Sequence, residues 1–251
     1  MPRTAYAFLF LLLCLVPGGC REDSRVLPDR SAAGQLKKKV LTARDNASQV
    51  FGETEYRYGP DQRLLRAEDF HFRDNQRVMR EYTAYAYDNA GQPVRNANYV
   101  RHASGDFRLF AETVFEYAGG LPVRETTTYP AQVAVTTFEY AEGRLVKKSF
   151  WDGNNTLLYY VVLAYDGSGK LAGETNFLPS DTPTQFVRYA YRNGLRQEKQ
   201  TFNGDPAGPK PELWSTIRYA YDGQNRLASE TTEYINPLSS AIFPTVRYEY
   251  Y

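Results

Sequence analysis

The fold of this chain is decided by one recurring stretch of sequence, Tyr219-Ala220-Tyr221-Asp222-Gly223-Gln224-Asn225-Arg226-Leu227. Side chains alternate along an extended strand, so the two tyrosine rings lie on the same face. Asp222 and Gly223 favour a tight turn, because aspartate bonds back to the local backbone and glycine accepts a positive φ. Leu227 then begins a second strand, and the stretch therefore predicts a β-hairpin.

Variants of this stretch recur along almost the whole chain. The second aromatic residue of each unit is a tyrosine, and successive tyrosines are 23 to 30 residues apart: Tyr58, Tyr87, Tyr117, Tyr140, Tyr165, Tyr191, Tyr221 and Tyr250. A regular period of this length indicates an array of one supersecondary unit. With a lone strand at residues 37–42 and another at 246–251, the sequence predicts an all-β antiparallel array of seven hairpins and 16 strands.

The aromatic face of such an array has to be covered. The chain holds 21 Tyr and 14 Phe, and each buried aromatic side chain stabilises the fold by about 1.5–3 kcal/mol. A face of this size exceeds the contiguous apolar patch that soluble monomers expose. Because no helix is predicted after residue 43 to cover it, we expect the sheet to curl into a barrel, a spiral or two facing layers.

The first twenty residues have the pattern of an export signal. Arg3 precedes an apolar run at residues 5–16, which is too short to span a bilayer comfortably as a helix. The Gly18-Gly19-Cys20 sequence resembles the lipobox of bacterial lipoproteins, and that resemblance implies that Cys20 is the lipidated first residue of the mature chain. A secretory signal with an incidental cysteine is the alternative. We expect a signal peptide over residues 1–19, a flexible tether over 20–35 and the repeat domain over 36–251.

The tether carries one further short pattern. Arg21-Glu22-Asp23 resembles the surface-export signals of Bacteroidota lipoproteins, which implies an outer-membrane lipoprotein on its periplasmic or surface face. A solvated tether explains the same three residues. If Cys20 is lipidated, the mature chain has no second cysteine for a disulfide.

The repeated pattern Tyr-x-Tyr-Asp-x-x-Gly-x-Leu resembles the YD repeats of Rhs and teneurin-type proteins. The best copies are residues 85–94, 163–171 and 219–227, and the resemblance extends over residues 36–251. Some units depart from the pattern, since Tyr58 is followed by Gly59 and Tyr191 by Arg192. The resemblance implies the fold and an extracytoplasmic setting, and it transfers no catalytic residue.

Composition and motifs argue against several classes of function. Without residues 1–19 the chain has 29 basic and 29 acidic side chains, so no basic surface for nucleic acid is expected. No nucleophile elbow, phosphate loop or dinucleotide fingerprint occurs, and we expect no enzyme activity and no cofactor. A porin-like barrel is disfavoured, because the positions between the tyrosines hold Arg, Lys, Glu and Ala rather than an apolar band.

Few side chains are candidates for chemistry. His71 and His102 are 31 residues apart and have no companion ligands at metal spacing, so we expect structural or surface roles for them. The turn aspartates Asp88, Asp166 and Asp222 do not open a run of calcium ligands. We therefore predict no catalytic residue and no metal site.

Three functional hypotheses remain open. The first is a non-enzymatic envelope lipoprotein that acts as a β-repeat scaffold or binding module, with a protein or glycan partner and membrane contact through the lipid alone. The second is a glycan-binding surface lipoprotein, in which Trp151 and Trp214 are the ligand-contact aromatics. The third is an envelope hydrolase that uses unrecognised carboxylates.

Overall fold

The structure is a computed structural model that describes residues 35–43, 48–73, 76–235 and 244–251. These residues form no helix, so no helix among them could cross a membrane. They form sixteen strands: β1 (Leu36–Ala43), β2 (Val50–Tyr58), β3 (Leu64–Arg73), β4 (Gln76–Tyr87), β5 (Pro93–Arg101), β6 (Phe107–Ala118), β7 (Leu121–Thr128), β8 (Val133–Ala141), β9 (Arg144–Asp152), β10 (Leu157–Tyr165), β11 (Leu171–Phe177), β12 (Pro183–Arg192), β13 (Leu195–Asn203), β14 (Glu212–Tyr221), β15 (Leu227–Tyr234) and β16 (Pro244–Tyr250). The all-β class and the strand number are confirmed. Cys20 and the predicted signal peptide lie outside the described residues.

The strands form a closed barrel. Each strand pairs antiparallel with its neighbours in sequence, and β1 pairs with β16, from Leu36 opposite Tyr250 to Ala43 opposite Pro244. Of the three expected forms of the sheet, the barrel is therefore the one that occurs. Closure pairs the first strand with the last, so the barrel has no unpaired edge strand.

The two ends of the barrel differ in their connections. The end that we call the turn end holds the seven predicted tight turns, and β1 begins and β16 finishes there. In the two-residue turn Asn193-Gly194 both residues have a positive φ, of 51° and 84°, as mirror-image hairpin turns require. In the five-residue turns the aspartate accepts backbone N–H groups, as Asp222 does from Gln224 at 2.8 Å and from Arg226 at 2.9 Å. The other end, which we call the loop end, holds the remaining connections, among them residues 204–211 between β13 and β14.

One-residue bulges occur in regular positions at both ends. Near the turn end, every odd-numbered strand has a register shift. Near the loop end, six even-numbered strands have one, and the extra residues are Phe51, Arg80, Phe110, Leu158, Thr184 and Trp214. Bulges bend a strand and increase its twist, so their regular placement is suited to curling this sheet into a barrel.

The register gives the sheet two chemically different faces. One face, the tyrosine face, carries the aromatic pairs of the repeats, such as Tyr219 and Tyr221 in β14. The other, the charged face, carries residues such as Arg218, whose guanidinium lies 2.5 Å from Glu233 and 3.7 Å from Glu198 on the two flanking strands. Because Arg218 is exposed, each such pair contributes roughly 0–1 kcal/mol.

A ring of hydrogen bonds, the tyrosine ring, ties each repeat to the one before it. The second tyrosine of a unit donates its hydroxyl to the backbone carbonyl of the first or second residue in the second strand of the preceding unit. The O–O distances are 2.7 to 3.0 Å for Tyr87 to Leu64, Tyr117 to Pro93, Tyr140 to Pro122, Tyr165 to Leu145, Tyr191 to Leu171, Tyr221 to Arg196 and Tyr250 to Leu227. Burial raises the pKa of Tyr117, Tyr221 and Tyr250.

Candidate functional site

The two tryptophans of the glycan hypothesis lie in different settings. Trp151 is half-buried in β9, opposite Val135, and its indole N–H donates to Thr137 at 3.1 Å. Trp214 is the exposed bulge residue of β14 and meets Tyr234 edge-on. Four strands separate β9 from β14, which is about 24 Å at the usual strand spacing. The two indoles therefore do not line one binding groove.

The histidines and the turn aspartates have local roles. His102 is exposed in the loop between β5 and β6, with Ser104 at 3.5 Å. Asp166 accepts hydrogen bonds from the Ser168 hydroxyl and from backbone N–H groups, which hold the pKa of its carboxyl below the usual value. Within the described part of the chain, no three His, Cys, Asp or Glu side chains gather in a way that could hold a metal ion.

A cavity of about 280 Å³ lies between strands β1 to β4, near the loop end, and we call it the seam cavity. Gly52 is part of its lining, and a Cβ added there would lie 3.2 Å from the Phe70 carbonyl oxygen. Two basic side chains, two acidic side chains and a histidine contribute to its polar lining: Lys39, Arg80, Asp69, Glu81 and His71. The exposed ring of Phe51 lies beside them.

Two carboxylates oppose each other in the seam cavity. Asp69 of β3 pairs directly with Glu81 of β4, and residues so placed have Cβ atoms about 4.5–5.5 Å apart. The Thr54 hydroxyl donates to Asp69 at 2.5 Å, and Arg80 lies 2.5 Å from Glu81. Burial raises the pKa of Asp69, the Thr54 hydrogen bond opposes this, and the charge of Glu81 adds to the rise.

Other charged groups near the cavity are neutralised. Glu53 also lines it, and burial acts to raise the pKa of Glu53. Hydrogen bonds from Lys38, at 2.6 Å, and Arg77, at 2.8 Å, nevertheless hold that pKa below its usual value. Nδ1 of His71 is buried and, among the described residues, has no hydrogen-bond partner. Among the residues that line the cavity, Asp69 carries a pKa raised by burial and His71 an unpaired buried nitrogen.

The opposed carboxylates are a departure from the repeat. The same register position, directly after a loop-end bulge, recurs in the other hairpins as Leu41 with Gly52, Asn98 with Ala111, Phe150 with Tyr159, Asn176 with Gln185, and Thr201 with Ser215. Each of these five pairs is uncharged. Sequence reasoning missed Asp69 and Glu81 because they are twelve positions apart and meet only through a bulged register.

The loop end also carries a series of exposed apolar side chains, which we call the loop-end rim. Each is at least 37% exposed, and four are bulge residues: Phe51, Leu109, Phe110, Leu158, Leu178, Trp214 and Ile235. The bulge explains the exposure of those four, because the extra residue of a bulge is left out of the ladder and its side chain is re-aimed. The seven come from β2, β6, β10 and β14 and from the positions just after β11 and β15, so they are distributed around the loop end.

Comparison with known proteins gives likenesses of architecture only. No protein-family model matches the chain, and no curated protein matches it. A porin-like protein from Bacteroides uniformis is 11% identical over 88% of this chain and 98% of its own, with a TM-score of 0.37. The TcdB2–TccC3 structure is 11% identical over 83% of this chain but only 13% of its own, with a TM-score of 0.33.

A protein of unknown function from Bacteroides fragilis is 15% identical over 51% of this chain and 91% of its own, with a TM-score of 0.28. None of these TM-scores reaches 0.4. Likeness of this degree supports no conclusion about function, which has to be argued from the residues of this chain.

Proposed function

We propose that this protein is a non-enzymatic lipoprotein of the bacterial outer membrane, whose YD-like repeat barrel is a scaffold that presents a binding surface. The loop-end rim is the observation that carries the proposal. Seven large apolar side chains stay exposed at one end of the barrel. Many of its charged and aromatic side chains, in contrast, are paired with one another. A scaffold that bound nothing would be more soluble with polar residues at these positions.

The barrel itself is suited to a scaffold role. All sixteen strands are paired on both sides, so no strand edge is left to recruit other chains. Both faces carry charge in mid-strand, with Glu230 on the tyrosine face and Arg218 on the charged face. A lipid-facing surface needs an apolar band instead, and attachment through Cys20 is the consistent means of holding this protein at the membrane.

The rim lies at the end of the barrel opposite its first residue. β1 begins at the turn end, at Leu36, where the predicted tether joins the barrel. We propose a protein or a glycan as the partner at the loop end, and Trp214 remains the exposed aromatic that either could contact.

The test compares two ends of the same barrel in cells of the native host. In the full chain, Phe110→Ser with Trp214→Asn changes the rim, and Leu65→Ser changes an exposed bulge residue at the turn end as a matched control. We expect in-cell crosslinking to the partner to be lost with the rim variant and kept with the control. Crosslinks that survive the rim changes would contradict the proposed surface.

The anchor is tested separately. Cys20→Ser should move the protein from the membrane fraction to the soluble envelope fraction, because a soluble barrel without its lipid has no other hold on the bilayer. Retention in the membrane fraction after this change would contradict lipidation.

A hydrolase is the second candidate, and one observation favours it. Asp69 and Glu81 oppose each other in a cavity, and burial raises the pKa of Asp69, which is the direction that a general acid requires. Turnover of nitrophenyl glycosides by the full chain, abolished in Asp69→Asn, would favour this candidate. Absence of turnover would leave the binding role as the better account.

A further inference from the structure

We propose that the seam cavity is a binding site for a small neutral polyhydroxylated ligand, a monosaccharide or the terminal residue of a glycan. The inference rests on the proposed binding role and gives it a ligand class. It concerns a different surface from the loop-end rim, although Phe51 belongs to both.

The polar lining suits hydroxyl groups rather than an ion. Lys39 and Arg80 supply positive charge and Asp69 and Glu81 supply negative charge, while the fifth charged group, Glu53, is already paired with Lys38 and Arg77. The lining therefore has no strong excess of either sign. Carboxylates accept hydrogen bonds, and ammonium and guanidinium groups donate them. A sugar hydroxyl does both at once, so a polyol can satisfy acceptors and donors that face the same small space.

The apolar lining suits the other side of a sugar. Phe51 is exposed at the bulge of β2, and Leu41 of β1 pairs with the next residue, Gly52. The C–H face of a pyranose is apolar and packs against an aromatic ring, while its edges carry the hydroxyls. Gly52 pairs with Leu41 and His71, which both line the cavity, so a side chain at this position would lie on the cavity's face of the sheet.

The cavity is small enough to limit the ligand. Sites for drug-sized molecules measure about 300–1,000 Å³, and the seam cavity, at about 280 Å³, lies just below that range. One sugar residue fits this size better than an oligosaccharide does. A longer glycan would leave the cavity towards solvent.

The repeat supplies an internal comparison. At the position of Asp69 two sister hairpins have Asn98 and Asn176, and none of the positions equivalent to Glu81 carries a charge. Two opposed carboxylates destabilise a sheet, and the buried member of the pair is disfavoured in its ionised form. Glu55 and Glu68 also oppose each other, but Arg57 pairs with both. At the position after a loop-end bulge, Asp69 and Glu81 are the one acidic pair of six, and such a costly departure from the repeat is typical of a binding site.

The experiment uses the whole mature chain made soluble by Cys20→Ser. Glucose, galactose and N-acetylglucosamine are the probes, with glucuronate and glucosamine as charged comparators, and binding is followed by saturation-transfer NMR and calorimetry. We expect a neutral sugar to bind and both charged analogues of the sugars to bind more weakly.

Three variants locate the site. Asp69→Asn, which sister repeats show to be compatible with the fold, should weaken binding about tenfold, as loss of a charge-assisted hydrogen bond does. Gly52→Val should abolish binding by filling the cavity. Asn176→Ala, at the matched position of another hairpin, should leave binding unchanged.

Two results would overturn the inference. One is the absence of binding by every neutral sugar at millimolar concentration. The other is binding that Gly52→Val leaves intact while thermal unfolding shows that the variant is folded. Neither result would affect the crosslinking at the loop-end rim, so failure of the seam cavity is distinguishable from failure of the proposed function.

Discussion

At the scale of single residues, the second tyrosine of each repeat has two tasks that its neighbours cannot perform. Its ring packs on the tyrosine face beside the residue that begins the next strand, and its hydroxyl reaches the carbonyl of the preceding repeat. A phenylalanine ring could pack in the same way, but it has no hydroxyl to donate to the carbonyl. This explains why Phe115 and Phe138 occur at the first aromatic position while the second is always tyrosine.

A first prediction concerns this hydroxyl. In Tyr191→Phe the Leu171 carbonyl loses its donor at 3.0 Å, and we expect the free energy of unfolding to fall by about 1–2 kcal/mol. Urea unfolding followed by fluorescence measures the change. Tyr251→Phe is the control, because that side chain is 65% exposed, and an equal loss in both variants would contradict a special role for the tyrosine ring.

A second prediction concerns Asp69 and pH. Burial in the folded protein raises the pKa of the Asp69 carboxyl above its usual value of 3.8, so the folded protein binds a proton at this carboxyl more tightly than the unfolded chain does. The free energy of unfolding therefore falls as the pH rises from 3.8 through the raised pKa. Asp69→Asn removes this loss. The Tm of the variant relative to wild type should therefore be higher at pH 7 than at pH 3.

The control for Asp69→Asn is Asp61→Asn, which removes an exposed carboxylate from a turn. Thermal unfolding at the two pH values compares both variants with wild type. A relative Tm of Asp69→Asn that does not change with pH, or that falls at pH 7, would show that burial does not penalise the Asp69 carboxylate.

At the scale of strands and turns, the sequence predicted the elements well and their register less well. Leu64, Leu171, Leu195 and Leu227 begin their strands, as the pattern predicts. The residue opposite the second tyrosine was not predicted, and in three repeats it is Pro93, Pro122 or Arg196 rather than a leucine. Hydrophobicity could not show this, because Val94 and Val123 are themselves bulge residues.

A third prediction separates two glycines that have equal space around them. No atom lies within 4 Å of a Cβ added at Gly194 or at Gly223, but only Gly194 has a positive φ, of 84°. Gly194→Ala should lower the free energy of unfolding by about 1–2 kcal/mol through backbone strain alone. Gly223→Ala should be neutral or stabilise by about 0.4–1 kcal/mol. Equal effects in chemical denaturation would contradict the assigned turn geometry.

At the scale of the whole molecule, closure and the seam cavity both depend on long-range pairing. The sequence predicts hairpins, each a local unit, but the contact between β1 and β16 joins residues at the two ends of the domain. The same holds for the cavity, where Lys39, Asp69 and Glu81 come from three strands. The tryptophans stood out by their type, whereas Asp69 and Glu81 stand out only when the register is known.

A last prediction tests closure directly. Removing residues 244–251 deletes β16, which pairs with both β1 and β15. The two exposed edges would then offer unpaired N–H and C=O groups to other copies of the chain. We expect the truncated protein to self-associate in size-exclusion chromatography and to unfold at a lower temperature, whereas removal of Tyr251 alone should change neither property. A truncated chain that stays monomeric with an unchanged Tm would show that the stability of the barrel does not depend on the β1–β16 contact.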